Sequence, residues 1–493
     1  MDAAEAIDSS AAASPDDKRA TRRFEDLPSP RGLPLVGQLL QVEPDRFHQQ
    51  LEQWAQELGP YYTLRLGGRP LLVISDHETV AAALRDRPEG FRRTPKLEAV
   101  WRELGLPVGV FGANGDAWAR QRRMVMAGFD PAHVRRYFPA MRKVADRLAG
   151  RWRKAAEAGT AIDLQADLMR YTVDTIAGLA FGAEVNTLES DADVIQRHLD
   201  KIFPALYRRV LAPLPTWRWV KRARDRELEA SLAEVTAAVN GFIDKARQRM
   251  QAESGLRERP TNLLEAMIAA ADSEGSGIDD AQVAGNVLTM LLAGEDTTAN
   301  TLAWMIHLLW LNPAALARAR DEVRTVVGDQ EAEITQEQLG RLDFVDACIH
   351  ETMRLKPVAP LLGLQAIHAT TVGDVLVPAG AVIITLLRHD SVSDTHFEHA
   401  AQFHPERWTA RDAGAAKRIA MPFGAGPRIC PGRYLALLEM KLALATLLSR
   451  FEIEAVDPPQ GEREAREVLA FTMAPRGLTM RLRESGSVHS LSP

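Results

Sequence analysis

Residues 423–432 read FGAGPRICPG and stand immediately before a helix-like stretch at 432–450. Glycines in this segment let the backbone turn tightly against a neighbour. Cys430 precedes the helix N-terminus, where free amides and the helix dipole favour a thiolate, and Arg428 adds a cation nearby. A thiolate under several N–H donors suits iron as a single axial ligand. A lone cysteine is more often a small buried hydrophobe, but the pattern Phe-x-x-Gly-x-Arg-x-Cys-x-Gly favours the ligand.

A second informative stretch is the helix predicted over Asp280–Leu311, with Asp279 or Asp280 as its cap and Pro313 beyond its end. At about 1.5 Å per residue this helix would cross the whole molecule. Its centre, residues 293–298, reads AGEDTT. A glycine, two acids and two threonines are poor choices inside a buried helix. Because local violations of packing rules mark functional sites, we expect function there; the alternative is a threonine-bent helix with a solvated acid.

The remaining chain predicts a mainly α-helical protein with small β-sheets at its edge. Residues 1–26 are expected to be a disordered N-terminal segment, 27–483 a single domain and 484–493 a flexible tail. Short strands are predicted at 61–66, 71–74, 375–377 and 382–386, the first two joined through Gly67 and Gly68 as a hairpin. Further helices are predicted at 77–85, 116–126, 131–158, 163–181, 192–207, 221–251, 313–327, 342–355 and 432–450.

Composition excludes several classes of protein. The 493 residues carry 60 basic and 66 acidic side chains, a net charge of −6, which argues against nucleic-acid binding. Two cysteines, Cys348 and Cys430, exclude a disulfide scaffold and an all-cysteine metal site. The chain shows no apolar run of about 20 residues and no signal peptide, so we expect a cytoplasmic protein without a membrane anchor.

The cysteine segment resembles the signature of the cytochrome P-450 family of haem-thiolate monooxygenases. Further segments resemble the family's other motifs in the same order along roughly 27–483: WARQR at 118–122, AGEDTT at 293–298, ETMR at 351–354 and FHPERW at 403–408. The resemblance implies the cytochrome P-450 fold, with haem b (iron protoporphyrin IX) held between the long central helix and the cysteine-loop helix. It also implies insertion of one oxygen atom from O₂ into a substrate.

The resemblance assigns roles to individual residues. Cys430 would be the iron ligand, and Asp296 and Thr297 would relay protons to dioxygen. Glu351, Arg354 and Arg407 would form a buried structural charge network behind the haem. Besides Cys430, the haem-binding set would comprise Trp118, Arg122, Ala293, Gly294, Phe423, Gly424, Arg428 and Gly432. A further partner of the haem propionates is left open in the stretch between Leu364 and His368.

The expected substrate is a hydrophobic small molecule, because the segments that would form its pocket are apolar. The predicted wall residues are Val108, Phe111, Ala293, Leu361 and Phe471. Electrons would come from a separate ferredoxin or flavodoxin with its NAD(P)H reductase, docking where Arg428, Arg433 and Lys441 lie. We expect a monomer that binds no nucleic acid.

Two other functions remain open at this stage. One is a haem-thiolate enzyme that uses peroxide or catalyses a non-redox reaction, and the other is a non-catalytic haem sensor. The Asp296–Thr297 pair favours the monooxygenase, because peroxide already carries both electrons and would not need a dedicated proton supply.

Overall fold

The structure is a computed structural model that describes residues 21–68, 70–129, 131–182, 185–190, 194–328, 333–410, 413–460, 462 and 464–486. Helices dominate this part of the chain. In chain order, α1 to α15 are Phe47–Leu58, His77–Arg85, Pro95–Glu103, Gly115–Gly128, Pro131–Glu157, Leu164–Phe181, Val194–Leu211, Ala223–Ala252, Leu263–Ala271, Asp280–Leu311, Pro313–Val327, Gln336–Gly340, Asp343–Leu355, Ala413–Ile419 and Arg433–Arg450.

The strands form small sheets around the helical body. In chain order, β1 to β13 are Arg22–Arg23, Tyr61–Leu64, Leu71–Ile74, Phe91–Arg93, Ile162–Asp163, Leu361–Ala366, Thr370–Val372, Val375–Val377, Val382–Leu386, Phe451–Asp457, Glu467–Leu469, Met473–Pro475 and Thr479–Glu484. The largest sheet has the order β2-β3-β9-β6-β4, and two three-stranded sheets have the orders β1-β8-β7 and β10-β13-β5. β11 and β12 form a hairpin. The predicted fold class, mainly α with small sheets, is confirmed.

Helix α10 is the axis of the fold and has the predicted bounds. Asp279 caps it by accepting a hydrogen bond from the Gln282 amide at 2.7 Å, and the Gln282 side chain accepts one from the Asp279 amide. Pro313 starts α11 immediately after the C-cap residue of α10. α10 packs mainly along α6 and also touches α13 and α15. Because most of its sides are covered, its residues are apolar nearly all round.

Five helices were not predicted: α1, α3, α9, α12 and α14. Each is 12 residues or shorter. In α3 the helix is fixed by burial of Leu97, Val100 and Trp101 rather than by a long periodic pattern. This matters for the site, because α3 directly precedes the stretch that contains Val108 and Phe111, two of the predicted substrate-wall residues.

Both predicted termini are corrected where the structure describes them. Residues 1–20 and 487–493 lie outside the described part of the chain. Arg22–Arg23 is β1, which pairs in parallel with β8, and the Arg22 guanidinium binds both carboxylate oxygens of Asp374 at 2.9 and 2.7 Å. Glu484 is the last residue of β13 and not the start of a tail. Paired backbone hydrogen bonds and this ion pair hold these residues in place.

Among the helices of the described residues, none combines the length and the apolar character that crossing a bilayer requires.

Candidate functional site

The cysteine loop holds Cys430 immediately before α15. The Cys430 amide donates to the Phe423 carbonyl at 3.0 Å, which closes the loop on itself. Burial raises the pKa of the Cys430 thiol, while the amides of Gly432 and Arg433 and the charge of Arg122 oppose that rise. The donors that favour a thiolate are therefore present, as predicted, but they do not outweigh burial. A metal cation bonded to Sγ would supply the missing positive charge, because a coordinated thiol loses its proton.

Two glycines of the loop adopt left-handed backbone conformations, but only one of them is pressed against another element. A Cβ on Gly426, whose φ is +72°, would lie 2.6 Å from Arg85 Cα in α2. A Cβ on Gly424, also at φ +72°, would meet nothing within 4 Å. Gly426 is thus the residue that allows the loop to dock on α2. The predicted site included Gly424 and omitted Gly426.

Four arginines surround the loop. The Arg428 guanidinium lies 4.7 Å from the ring centre of Trp118 and donates to the Ala113 carbonyl. Arg122 donates to the Ile429 carbonyl at 2.7 Å, and Arg87 donates to the Ala425 carbonyl at 3.1 Å. Arg122, Arg428 and Trp118 were predicted members of the site. Backbone carbonyls hold the guanidinium groups of the three arginines named here, and the ring face of Trp118 also contacts that of Arg428.

Arg93 is the fourth arginine, and the sequence analysis missed it. It ends β4, opposite Leu364 of β6, and its guanidinium lies 4.3 Å from the ring centre of Phe111. We had left open a third propionate partner between Leu364 and His368. The structure shows His368 exposed, whereas the neighbouring strand brings Arg93 to that stretch. Arg93 and Leu364 pair although they lie more than 270 positions apart in the sequence, so no local sequence pattern predicts their contact.

These arginines carry unbalanced positive charge. None of Arg87, Arg93, Arg122 and Arg428 has a salt bridge to an acid in the described part of the chain. Burial, helped by Arg87 and Arg122, lowers the pKa of Arg428 to about 9, and burial places the pKa of Arg93 well below its ordinary value. The Nε atoms of Arg93 and Arg428 are buried without an acceptor. Buried cations without counter-charges fit the two propionates of the implied haem.

The centre of α10 differs from the rest of that helix in its exposure. Between Val283 and Leu309 every residue is buried except Ala293, Gly294, Asp296 and Thr297. All four belong to the predicted site, and they interrupt the buried surface of α10. Thr297 Oγ1 donates to the Ala293 carbonyl at 2.6 Å, as a threonine can to the residue four positions earlier.

Asp296 is held by two side chains that the sequence analysis did not name. Its carboxylate accepts a hydrogen bond from Asn300 at 2.7 Å and another from the Thr472 hydroxyl. Burial raises the pKa of Asp296, and these two hydrogen bonds oppose the rise. Asn300 lies one helical turn from Asp296 and could have been found from that spacing. Thr472 could not, because it follows β11 near the other end of the sequence.

Gly294 lies where α10 meets α6. A Cβ there would lie 3.1 Å from Ile176 Cγ1 of α6. The glycine therefore allows α6 to pack closely along α10.

The predicted substrate-wall residues include an aromatic group. Phe471 stacks on Phe203 with ring centres 4.5 Å apart and meets Phe111 edge-on at 5.7 Å. Phe471 has φ +97°, a strained value for a residue with a side chain. Val108, Phe111, Leu361 and Phe471 are all partly exposed, as is Ala293. Phe203 adds a further aromatic ring to this predicted wall. Such strain is typical of functional positions.

The structural charge network converges on Glu351. Its carboxylate accepts from Arg354 Nε and Nη2, each at 2.8 Å, and from Arg407 Nε at 3.2 Å. The His404 amide and the Trp408 indole complete the set at 2.8 Å each. Burial opposes ionisation, but Arg354 and the other donors hold the pKa of Glu351 below its ordinary value. The structure thus brings Glu351, Arg354 and Arg407 together, and Trp408 contributes a donor that phenylalanine would lack.

The predicted docking residues do not share one exposed surface. Lys441 forms an ion pair with Asp346 at 2.8 Å and is only 15% exposed. Arg428 is packed against Trp118. Only Arg433 is exposed, at the start of α15. We expected all three side chains to be available to a partner, and this expectation is wrong for Arg428 and Lys441.

Comparison with known proteins agrees with this geometry. The Cytochrome P450 family model matches residues 27–481. A self-sufficient cytochrome P450 monooxygenase of Phanerodontia chrysosporium is 29% identical over 460 residues, which are 91% of this chain and 42% of that protein. A cytokinin hydroxylase of Arabidopsis thaliana is 29% identical over 81% of this chain and 76% of its own length. The crystal structure of the cytochrome P450DA heme domain, 25% identical, superposes with a TM-score of 0.82 and covers 95% of this chain and 99% of its own.

The chain spans less than half of the length of some of these relatives. A second self-sufficient monooxygenase, from Aspergillus niger, is 27% identical over 93% of this chain and 43% of its own length. The similarity therefore covers nearly the whole of this chain but leaves a large part of such relatives unmatched.

Proposed function

The chain belongs to the cytochrome P450 family of haem-thiolate monooxygenases, and on that premise we propose which substrate class and electron supply it uses. It inserts one oxygen atom from O₂ into a hydrophobic organic molecule, by hydroxylation or epoxidation. Electrons reach it from a separate ferredoxin or flavodoxin with its NAD(P)H reductase. The observation that carries the proposal is the exposure of Ala293, Gly294, Asp296 and Thr297 in an otherwise buried α10.

Haem b is the family's cofactor, and the residues described above fit it. Bound haem supplies the redox chemistry that activates dioxygen. Cys430 Sγ would be its axial ligand. Arg93, Arg122 and Arg428 would bind the propionates, and Trp118 supports Arg428 through its ring face. Phe423, Gly424, Gly432, Ala293 and Gly294 remain proposed haem neighbours.

Asp296 and Thr297 are proposed to deliver protons to the reacting oxygen. Thr297 Oγ1 donates its proton to the Ala293 carbonyl, so its oxygen lone pairs are available to accept one. Burial raises the pKa of Asp296 and so brings that carboxyl closer to the pH at which it can both hold and release a proton. Thr472 and Asn300 fix the orientation of the carboxylate. Both are positioning residues.

The apolar wall supports a hydrophobic substrate. Phe111, Phe203 and Phe471 make aromatic contacts with one another, and Val108 and Leu361 extend the same partly exposed lining. Apolar and aromatic linings with few polar groups are typical of sites for small hydrophobic ligands. A charged substrate would lose hydration without gaining a matching partner among these side chains.

The electron carrier is proposed to dock around Arg433. This exposed arginine lies at the start of α15, three residues after Cys430, and has no acidic partner in the described part of the chain. A cation there would attract an acidic surface of a carrier. We also retain the proposals of a single catalytic domain at 27–483, a cytoplasmic location and a monomeric state.

Substituting Thr297→Ala tests the oxygen chemistry. A monooxygenase should then lose product at least tenfold relative to the NAD(P)H consumed, with peroxide formed instead, because proton delivery is worth about 10²–10⁴ in rate. Thr301→Ala is the matched control, since Thr301 makes the same type of hydrogen bond one turn later, to the Thr297 carbonyl at 2.8 Å. Product and peroxide are measured together with a hydrophobic substrate identified by its spectral shift.

Other outcomes of this experiment would point to the alternatives. An unchanged product yield in Thr297→Ala, with peroxide as the effective oxidant, would favour a peroxide-using or non-redox haem-thiolate enzyme. Haem-loaded protein that oxidises no substrate with any redox partner would favour a haem sensor.

A further inference from the structure

Three histidines surround one aspartate at a surface that the proposed activity does not use. His77 is the first residue of α2, and Asp390, His389 and His396 lie in the segment after β9. His77 Nδ1 lies 2.9 Å from Asp390 Oδ2, and His396 Nε2 lies 3.5 Å from the same oxygen. The rings of His77 and His396 meet edge-on with centres 4.8 Å apart. Side chains from two separate elements therefore converge on one carboxylate oxygen.

The spacing of these atoms suits a metal ion. One ligand atom from each of His77, Asp390 and His396 can be chosen so that all lie within 4.8 Å of one another. Zinc binds nitrogen and oxygen ligands at about 2.0–2.2 Å, so tetrahedral ligands stand roughly 3.3–3.5 Å apart. The observed separations of 2.9 and 3.5 Å bracket that spacing. Two imidazoles and a carboxylate, with water as a fourth ligand, form a common donor set for zinc.

The carboxylate is oriented from both sides. His389 Nδ1 lies 2.9 Å from Asp390 Oδ1, the oxygen that does not face His77, and the His77 amide donates to Oδ2 at 2.8 Å. These contacts orient the carboxylate, as the groups that hydrogen-bond to metal ligands do in metal sites.

The cluster is accessible and lies in a negatively charged cleft. The side chains of His77 and His396 are 18% and 28% exposed. The adjoining cleft has a volume of about 590 Å³, and Asp76 and Asp394 line it together with Asp390 and His396. Three carboxylates around one opening would attract a divalent cation from solution.

We propose that His77, Asp390 and His396 bind one divalent transition-metal ion, preferentially Zn²⁺, with His389 orienting the carboxylate. The ion replaces the proton of the His77–Asp390 hydrogen bond and takes no part in redox chemistry. This site is separate from Cys430 and does not depend on the proposed oxygen chemistry.

The site would stabilise the parts of the fold that hold the cysteine loop. His77 begins α2, and Arg85 at the other end of α2 packs against Gly426. Ser391, next to Asp390, accepts a hydrogen bond from Arg354 through its carbonyl. A metal ion that bridges α2 and the segment after β9 would therefore restrain the helix that packs against Gly426 and the segment that accepts a hydrogen bond from Arg354. Because it binds the folded protein, it should raise the melting temperature.

The test uses haem-loaded, untagged, full-length protein stripped with EDTA and dialysed against micromolar ZnCl₂. Haem loading occupies Cys430, so the zinc content reports other ligands. Zinc is measured by elemental analysis, and the melting temperature is followed by circular dichroism with and without zinc. The variants are His77→Gln and His396→Asn. His368→Gln is the matched control, because it removes an exposed histidine outside the cluster.

We expect one zinc per chain in the wild type and in His368→Gln, with a zinc-dependent rise in melting temperature. Both cluster variants should lose at least tenfold in zinc affinity and should show no such rise. His396 is partly exposed in a turn, so this variant should fold even if His77→Gln does not. Absence of zinc from the wild type would overturn the proposal, as would full retention by His396→Asn.

Discussion

Two fully buried glutamates show how the donors around a single residue decide its charge. Glu351 receives hydrogen bonds from Arg354, Arg407, the His404 amide and Trp408, and its pKa lies below the ordinary value. Glu439, in α15, has a carboxyl oxygen buried without a hydrogen-bond partner, only the nearby Thr175 side chain opposes the effect of burial, and its pKa is raised well above the ordinary value. The first side chain is therefore a buried anion with matched donors, and the second is a neutral acid. Burial is similar, and the number of donors differs.

Replacing Glu439 by glutamine should remove a pH dependence of stability. The folded protein binds the Glu439 proton more tightly than the unfolded chain, so this group contributes stability below about pH 4.5 and loses it as the pH rises toward its folded pKa. Glu439→Gln should thus gain stability relative to the wild type between pH 5 and about pH 8, with the gap widening as pH rises. Melting temperatures of the two proteins across that range measure the gap.

Glu398→Gln serves as the control for this prediction, because the Glu398 side chain is 89% exposed. Its melting temperature should follow the wild type at every pH. Parallel curves for Glu439→Gln and the wild type would contradict a neutral Glu439 in the folded protein.

At the scale of elements, the sequence predicted the segments that carry their own boundary signals. α10 and α11 have the predicted bounds because Asp279 caps the first and Pro313 separates the two. β8 and β9 match as well, separated by Pro378 and Gly380. α9 was missed because LLEAMIAAA is apolar almost throughout and shows no helical period. The length of an element, and the cap residue, proline or glycine at its ends, therefore decided whether the sequence could predict it.

The candidate site was predictable only in the parts that lie in contiguous motifs. The cysteine loop, the centre of α10, the 351–354 segment and the 403–408 segment were found because each motif is contiguous, whereas the meeting of Glu351 with Arg407 was expected only from the family resemblance. Arg93 and Thr472 were missed because they join the site through tertiary contacts with Leu364 and Asp296. Gly426 was left out of the predicted site although the pattern Phe-x-x-Gly fixes it and not Gly424, and its packing against Arg85 gives the physical reason for that glycine.

The docking of the cysteine loop on α2 makes a prediction about these glycines. Alanine at either position must adopt φ +72°, which costs about 1–2 kcal/mol. Only Gly426→Ala adds a clash, with its Cβ 2.6 Å from Arg85 Cα. We expect Gly426→Ala to bind clearly less haem per chain than Gly424→Ala and to unfold at a lower temperature. The ratio of haem to protein absorbance measures the first effect.

Because both variants share the backbone strain, the difference between them isolates the contact between the loop and α2. Equal haem content and equal melting temperatures would show that this contact does not hold the loop. A defect confined to Gly424→Ala would contradict the packing more directly.

At the scale of the whole molecule, one charged cluster joins elements from the early and the late parts of the chain. Arg388, which follows β9, binds Glu52 of α1 at 2.9 and 2.6 Å and Glu467 of β11 at 2.8 Å. Glu467 also contacts His48 at 2.8 Å and pairs with Lys356. The pKa of Glu467 is far below the ordinary value, since the hydrogen bond from His48 and the charges of Arg388 and Lys356 outweigh burial. The cluster thus ties an early helix to the hairpin that carries Phe471 and Thr472.

Arg388→Met should destabilise the whole fold by about 3–5 kcal/mol, because it leaves two buried carboxylates without their shared cation. The matched control is Arg481→Met, which breaks an exposed pair with Asp457 and should cost about 1 kcal/mol or less. Urea unfolding of haem-loaded protein, followed by circular dichroism, measures both. A loss in Arg388→Met no greater than in the control would mean that Glu52 and Glu467 are protonated or hydrated in the variant. Adding Glu52→Gln should recover part of the loss, since it removes one of the two stranded charges, and it should recover none if the arginine acts only through packing.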